Sequence, residues 1–327
     1  MFGAEGPYLH PGDVEFNSNL RWSNSFRHFN ASVEQKQRNT LGSNVSNRQR
    51  LLDLGGTYQE NKQDSLSLSI PIEIYGAWGL KLPSPTATTP GGAQATQEAR
   101  GLGDISLVYH RWIADVDRYK RGNVQLGFGI QAPTGNDDVT SLFPDRTGKN
   151  FMQRPADWSI QPGTGGWGLV FDFQGFQRVG DMTAYGSATY VAMLEDLTNT
   201  PSILANFGGV TAATAYEKYN TIADAYLLRA GGIMPIRKAN GLNLSFGLRM
   251  EGVPISNLLS GGEGFRRPGY SVFIDPGLIW ERGRDTWSFY GPLAAIRRRD
   301  EDSHGNKGDA TFPDYVLMFG YAHKFGK

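Results

Sequence analysis

Residues 242–251 read Leu242-Asn243-Leu244-Ser245-Phe246-Gly247-Leu248-Arg249-Met250-Glu251. Every second side chain is large and apolar, and those between are polar, charged or glycine. In an extended strand, alternate side chains point to opposite faces, so this stretch has one apolar and one polar face. An amphipathic helix would repeat at three to four residues, which this stretch does not. Asn240-Gly241, just upstream, is a favoured hairpin-turn dipeptide, so a second strand should precede it.

The same period recurs along the chain. Leu66, Leu68, Ile70, Ile72 and Ile74 alternate with Ser65, Ser67, Ser69, Pro71 and Glu73, and Val124, Leu126, Phe128 and Ile130 alternate with Gln125, Gly127, Gly129 and Gln131. Read throughout, the pattern predicts twelve strands: 13–27, 50–60, 64–78, 101–115, 122–133, 166–178, 182–195, 220–236, 241–253, 270–282, 286–299 and 312–326. The seventh, eighth and eleventh alternate poorly. The connections are short at 61–63, 116–121, 179–181, 237–240 and 283–285, and long at 28–49, 79–100, 134–165, 196–219, 254–269 and 300–311. Strict alternation of short and long puts tight turns at one end of the sheet and loops at the other.

An even strand count, short periplasmic turns and long extracellular loops describe an all-β chain folded as a single twelve-stranded antiparallel transmembrane β-barrel. It would span 13–326, after a periplasmic segment 1–12. A soluble β-rich binding protein is the rival. Trp22, Tyr75, Trp78, Trp112, Trp167, Tyr190, Trp280, Trp287, Tyr315 and Phe325 fall near strand ends, as an interfacial aromatic girdle requires. Mean hydropathy of −0.40 does not oppose a barrel, because alternating strands never build a long apolar run. On this face assignment, Leu244→Arg should be costly and Ser245→Arg far milder.

Composition removes several function classes. The 32 basic residues equal the 32 acidic ones, so no cationic excess exists to displace counterions from a nucleic acid. Without cysteine there is no disulfide, thiolate metal site or thiol nucleophile. Residues 1–7 lack the basic stretch and apolar core of a secretory signal. Asp300-Glu301-Asp302-Ser303-His304-Gly305-Asn306 begins like a calcium loop, but His304 stands at an oxygen-ligand position and Thr311 where a bidentate Glu is needed. No metal or cofactor is expected. Of the five histidines, His28 and His304 belong to outer loops that closure could bring together, but no serine-nucleophile signature accompanies them. A barrel lipid hydrolase is therefore disfavoured, and the chain reads as a non-enzyme.

The inward-facing set holds Arg21, Glu73, Asp104, Asp172, Arg249, Glu251 and Asp275, which would line a polar lumen with a slight acidic excess. Twelve strands about 4.8 Å apart and tilted about 40° give a backbone diameter of roughly 24 Å, leaving about 10 Å between side chains. The connection 134–165 is the expected constriction loop, with Asp137, Asp138, Asp145, Arg146 and Arg154 as its charges. Arg297, Arg298 and Arg299 could meet lipopolysaccharide phosphates at the outer rim.

Three motifs carry a resemblance: Gly101-Leu102-Gly103-Asp104-Ile105-Ser106-Leu107, Leu66-Ser67-Leu68-Ser69-Ile70-Pro71, and the run Gly127-Phe128-Gly129-Ile130-Gln131-Ala132-Pro133-Thr134-Gly135. Over residues 50–326 the chain resembles the bacterial outer-membrane barrels named for the MetA pathway of phenol degradation. The resemblance implies an outer-membrane, porin-like passive transporter of small, often aromatic or hydrophobic molecules, with no catalytic residues to carry over. Gly326-Lys327 after Phe325 departs from the aromatic terminus usual in such barrels. The partners expected are outer-membrane lipid and lipopolysaccharide, the barrel assembly machinery and the permeant. A non-conducting structural or surface-interaction barrel is the alternative.

Overall fold

A strand that is apolar on one face finds its most economical partner in another of the same kind, and the alternating stretches do pair in this way. A computed structural model describes residues 8–83, 90–145, 149–206, 209–237 and 239–326. Its wall consists of β1 (Val14–Asn30), β2 (Ser46–Gln59), β3 (Asp64–Pro83), β4 (Pro90–Leu102 and Ile105–Trp112), β5 (Gly122–Ala132) and β6 (Gly168–Val179). It continues through β7 (Met182–Met193), β8 (Ala225–Pro235), β9 (Leu242–Val253), β10 (Gly269–Ile274 and Gly277–Arg282), β11 (Asp285–Tyr290 and Leu293–Arg299) and β12 (Ala310–Phe325). Each strand pairs antiparallel with its sequence neighbour, and β12 returns to β1 from Val14↔Phe325 to Phe29↔Ala310. The result is a closed twelve-stranded barrel, which leaves no unpaired sheet edge.

The apolar face points outward. Leu244, Phe246 and Leu248 are exposed while Ser245 is fully buried, and the same holds for Leu126, Phe128 and Ile130 against Gln125. Such an inside-out distribution suits a wall bathed in hydrocarbon, where closure satisfies every backbone group. Among the described residues no helix is long and apolar enough to cross a membrane, which says nothing of strands.

Three strands are interrupted. β10 breaks at Asp275-Pro276 and β11 at Gly291-Pro292, where proline has no N–H to give the ladder. The two breaks lie level, with Gly291 N donating to Pro276 O at 3.1 Å. Beyond the break, β11 meets β12 in register only at Leu293↔Tyr315. There Arg297 bridges the seam instead, donating to Pro313 O at 3.0 Å and to Asp314 at 2.6 Å.

Two expectations change. The connection 79–100 is not a long loop: β3 and β4 run on as a paired hairpin through Gly79↔Thr96 and Leu80↔Ala95 to Pro83↔Pro90. Its Thr, Ala and Gln residues pair without apolar alternation, so the period gave no signal. Trp78 and Trp112 are also not girdle residues. A register slip at Ile74 turns Tyr75 outward and Trp78 inward, and Trp112 pairs with the inward Gln125. Both indoles are buried, at 4% and 3% exposure. Trp280 and Trp287 do stand on the outer face, their rings 4.9 Å apart.

Candidate functional site: the barrel lumen

The polar halves of the strands meet inside the barrel around three successive cavities. The largest, about 650 Å³, opens toward the loop end, and Arg21, Arg249, Glu251, Trp158 and Arg267 are among its walls. The middle one, about 260 Å³, is bounded by Asp172, Tyr185, Arg229, Ile233, Ile279 and Tyr290. The smallest, about 90 Å³, lies at the turn end among Leu9, Ser67, His110, Trp112 and Gln125. Thr189 lines both the first and the second, and Gln174 both the second and the third. They form one file down the barrel. A further hollow of about 410 Å³, among Leu20, Leu278, Trp280, Phe289 and Phe319, lies on the apolar outer face and belongs to the lipid side.

Arg21 lies on β1, and its Nη2 donates to Glu251 Oε1 of β9 at 2.6 Å. Glu251 Oε2 accepts from Nε and Nη2 of Arg249, on the same strand, at 3.1 and 3.0 Å. Lower down, Asp275 is fully buried and takes a two-pronged bond from Arg229 at 3.0 and 2.7 Å. The Arg229 guanidinium rests 4.7 Å from the Tyr290 ring, a cation–π contact beside the apolar Ile233 and Ile279. Asp172 accepts from Thr189 at 2.7 Å and pairs with His110 Nε2 at 3.2 Å.

Ser67 Oγ stands 3.4 Å from His110 Nδ1, an order of groups that resembles a hydrolytic triad. Ser67 also shares a 3.0 Å bond with Thr57 Oγ1, which ties the serine into the polar wall rather than freeing it for attack. His28 and His304 do not converge. His28 accepts from Val45 N and pairs with Asp309, whereas His304 stacks on Tyr216 at 3.8 Å.

Asp104 and Glu73 are not free lumen carboxylates. Asp104 accepts from Gly135 N at 2.9 Å, Thr164 N at 2.7 Å and Thr164 Oγ1 at 2.6 Å, so it gathers the two ends of the long connection after β5. Glu73 is buried at 6% exposure and lines none of the three cavities.

The connection after β5 does fold into the mouth, but through other residues than its charges. Ile160 is fully buried with Trp78, Phe143 and Ala156, and Trp158 and Ser159 face the outer cavity. Asp157 starts the short 3-10 turn Trp158–Ile160 by accepting from Ser159 N at 3.0 Å. Both Asp157 oxygens take bonds from Arg267 of the β9–β10 loop, each at 2.9 Å. Burial pushes the Asp157 carboxyl up, but the Arg267 charge and these hydrogen bonds outweigh it and hold the group below its ordinary value. Asp137, Asp138, Asp145 and Arg154 line none of the cavities. Asp145 and Arg154 sit at the tip and on the second strand of the hairpin Thr140–Pro144 with Phe151–Pro155, and Arg146 lies outside the described residues.

The basic run at the end of β11 is also divided. Arg297 is bound at the β11–β12 seam, and Arg299 is buried at 4% exposure with donors on the carbonyls of Arg266, Pro268 and Asp300. Arg298 alone of the three reaches solvent, beside Asp300. At the turn end, Tyr8 packs edge-on against Trp112 at 4.9 Å and Phe176 at 5.7 Å, so Tyr8 and Leu9 enter the mouth. Arg229, His110, Tyr290, Trp158 and Arg267 were not singled out from the sequence. The first lies on a poorly alternating strand, and the last two sit in loops without periodicity.

No family model matches the chain, and no curated protein does, so the likeness to the MetA-pathway barrels rests on short motifs. Solved structures do match. The COG4313 outer membrane channel from Pseudomonas putida F1 superposes with a TM-score of 0.59 at 12% identity, covering 97% of each chain. The chain shares the fold of an outer-membrane channel. Weaker likenesses are the Ralstonia pickettii toluene transporter TbuX (TM-score 0.45, 7% identity, 97% of this chain and 90% of that one) and a Pseudomonas aeruginosa FadL homologue (0.42, 8%, 96% and 89%).

Proposed function

We propose that the protein is an outer-membrane channel that passes small molecules through its lumen, with the tight turns in the periplasm and the loops outside. The observation that carries this reading is the file of three adjacent cavities, each sharing a lining residue with the next, inside a wall whose outer face is apolar. The cavities mix guanidinium, hydroxyl and carboxylate groups with Leu227, Phe265, Ile279 and Tyr290. That lining suits compact amphipathic solutes with an aromatic or aliphatic body better than long sugars. Motif resemblance to barrels of phenol degradation agrees. Passage needs no chemical step. Contact between Arg298 and lipopolysaccharide phosphates, and insertion by the barrel assembly machinery, go with this location.

Liposome swelling tests the reading. Vesicles containing the protein should swell in small amphipathic solutes and exclude oligosaccharides. A second reading, a non-conducting barrel, draws on the 90 Å³ cavity at the turn end and the Tyr8 contacts that narrow that mouth. Tyr8→Ala should speed swelling if the mouth merely limits flux. No swelling with either form favours the second reading.

A further inference from the structure

The Arg21–Glu251 bond joins β1 to β9. In the wall the neighbours of β1 are β2 and β12, and those of β9 are β8 and β10. Four steps around the ring separate the two strands, so the bond is a chord across the lumen rather than a link along the wall. It lies in the floor of the outer cavity, just above the middle one. We propose that Arg21, Glu251 and Arg249 form a bar across the passage that admits small organic anions, carboxylates with an apolar body, in preference to cations and neutral solutes. This deepens the channel reading and rests on it.

The argument is one of partner exchange. Two guanidiniums share one carboxylate, which spends one oxygen on each. Opening the bar for a neutral solute or a cation leaves partly buried charges without a counterpart. An incoming carboxylate replaces Glu251 at one guanidinium as the bar parts, so the charge-assisted bonds are exchanged and not lost. Below the bar, Arg229, the cross-strand partner of Arg249, also lines the middle cavity, but its charge is taken up by Asp275, so the bar itself carries the anion preference. Leu227 and Phe265 above, and Ile233, Ile279 and Tyr290 below, receive the apolar body. The acidic excess read from the sequence points the other way, but Asp104 is engaged with loop ends, Asp275 is fully buried against Arg229, and the Asp172 oxygens are held by Thr189, Gln174 and His110.

Planar bilayers holding the full chain test this through reversal potentials in a potassium chloride gradient, and liposomes holding it through swelling in potassium benzoate with valinomycin against benzamide. The wild type should prefer chloride to potassium and pass benzoate faster than benzamide. Arg21→Gln and Arg249→Gln should each bring the ion permeability ratio close to one, and together, which leaves Glu251 without a counter-charge, should tilt it toward potassium. Glu251→Gln should raise conductance several-fold and keep the anion preference. Because the protein has no cysteine, a second measurement guards against misfolded variants. With Arg21→Cys and Glu251→Cys, a reducible bifunctional thiol reagent should shut the current, and a reductant should restore it. Current unaffected by the cross-link, or selectivity unchanged in the double glutamine variant, overturns the bar and leaves the channel reading standing. No current in any form overturns both.

Discussion

Gly127 shows how narrow the tolerances are on the inner wall. A Cβ there would stand 2.5 Å from the His110 ring and 2.9 Å from Asp172 Cβ, so the absent side chain is what lets the two meet across β5. Gly127→Ala should part the pair and cost about 1–3 kcal/mol, the usual cost of overpacking. Gly56→Ala, where no atom lies within 4 Å, should be close to neutral in the same urea titration. Leu244 and Ser245 make the second test at this scale. Leu244 is exposed on the apolar face, one pair in from Leu242 and its girdle partner Trp280, so Leu244→Arg should be destabilising but cost less than the roughly 2–4 kcal/mol of a bilayer midplane. The structure overturns the expectation that Ser245→Arg is mild. Ser245 is fully buried beside Tyr185, so the same unfolding titration should find Ser245→Arg damaging and Ser187→Arg, in the middle cavity, the mild inward change. Which face a residue takes was legible from period 2. Which residue it meets was not, because Arg21 and Glu251 are 230 positions apart and their pairing depends on how the ring closes.

At the scale of elements, the connection after β5 is held by a clasp at Asp157 and Arg267, and that clasp should depend on pH. The Asp157 carboxyl is lowered in the folded protein from an ordinary 3.8, so its stabilising contribution is fully present above that value. It is lost as the pH falls below 3.8 through the lower folded value. Limited proteolysis should find the connection resistant near neutrality and released only in strong acid. Asp157→Asn should release it at neutral pH, costing about 3 kcal/mol, the low end for a broken buried pair because Arg267 also reaches the outer cavity. An unchanged digestion pattern would mean that Ile160 and its apolar neighbours hold the loop alone. The length of this connection marked it in the sequence as the segment to enter the mouth, yet its charges were the wrong guide. Trp158, Ser159 and Ile160 do the entering, and one short turn carries no periodic signal. The β3–β4 hairpin was hidden for a similar reason, since its pairing is between small and polar residues.

For the whole molecule, twelve strands, their order and the end bearing the loops followed from alternation and from the sorting of short and long connections. Period and turn length are local, so sequence exposes them; the cavities are products of closure, and it does not. A closed barrel with an apolar outer face should fractionate with outer membranes, require detergent, and migrate differently on gels before and after boiling. The central claim is that one path runs through the lumen past the middle cavity. Ser187 lines that cavity, and the chain has no cysteine of its own, so Ser187→Cys places a single thiol on the wall of the path. In a planar bilayer the variant should conduct like the wild type, and its current should fall in steps when a small thiol reagent is added. No current, or a current that modification of the thiol leaves untouched, would contradict the account.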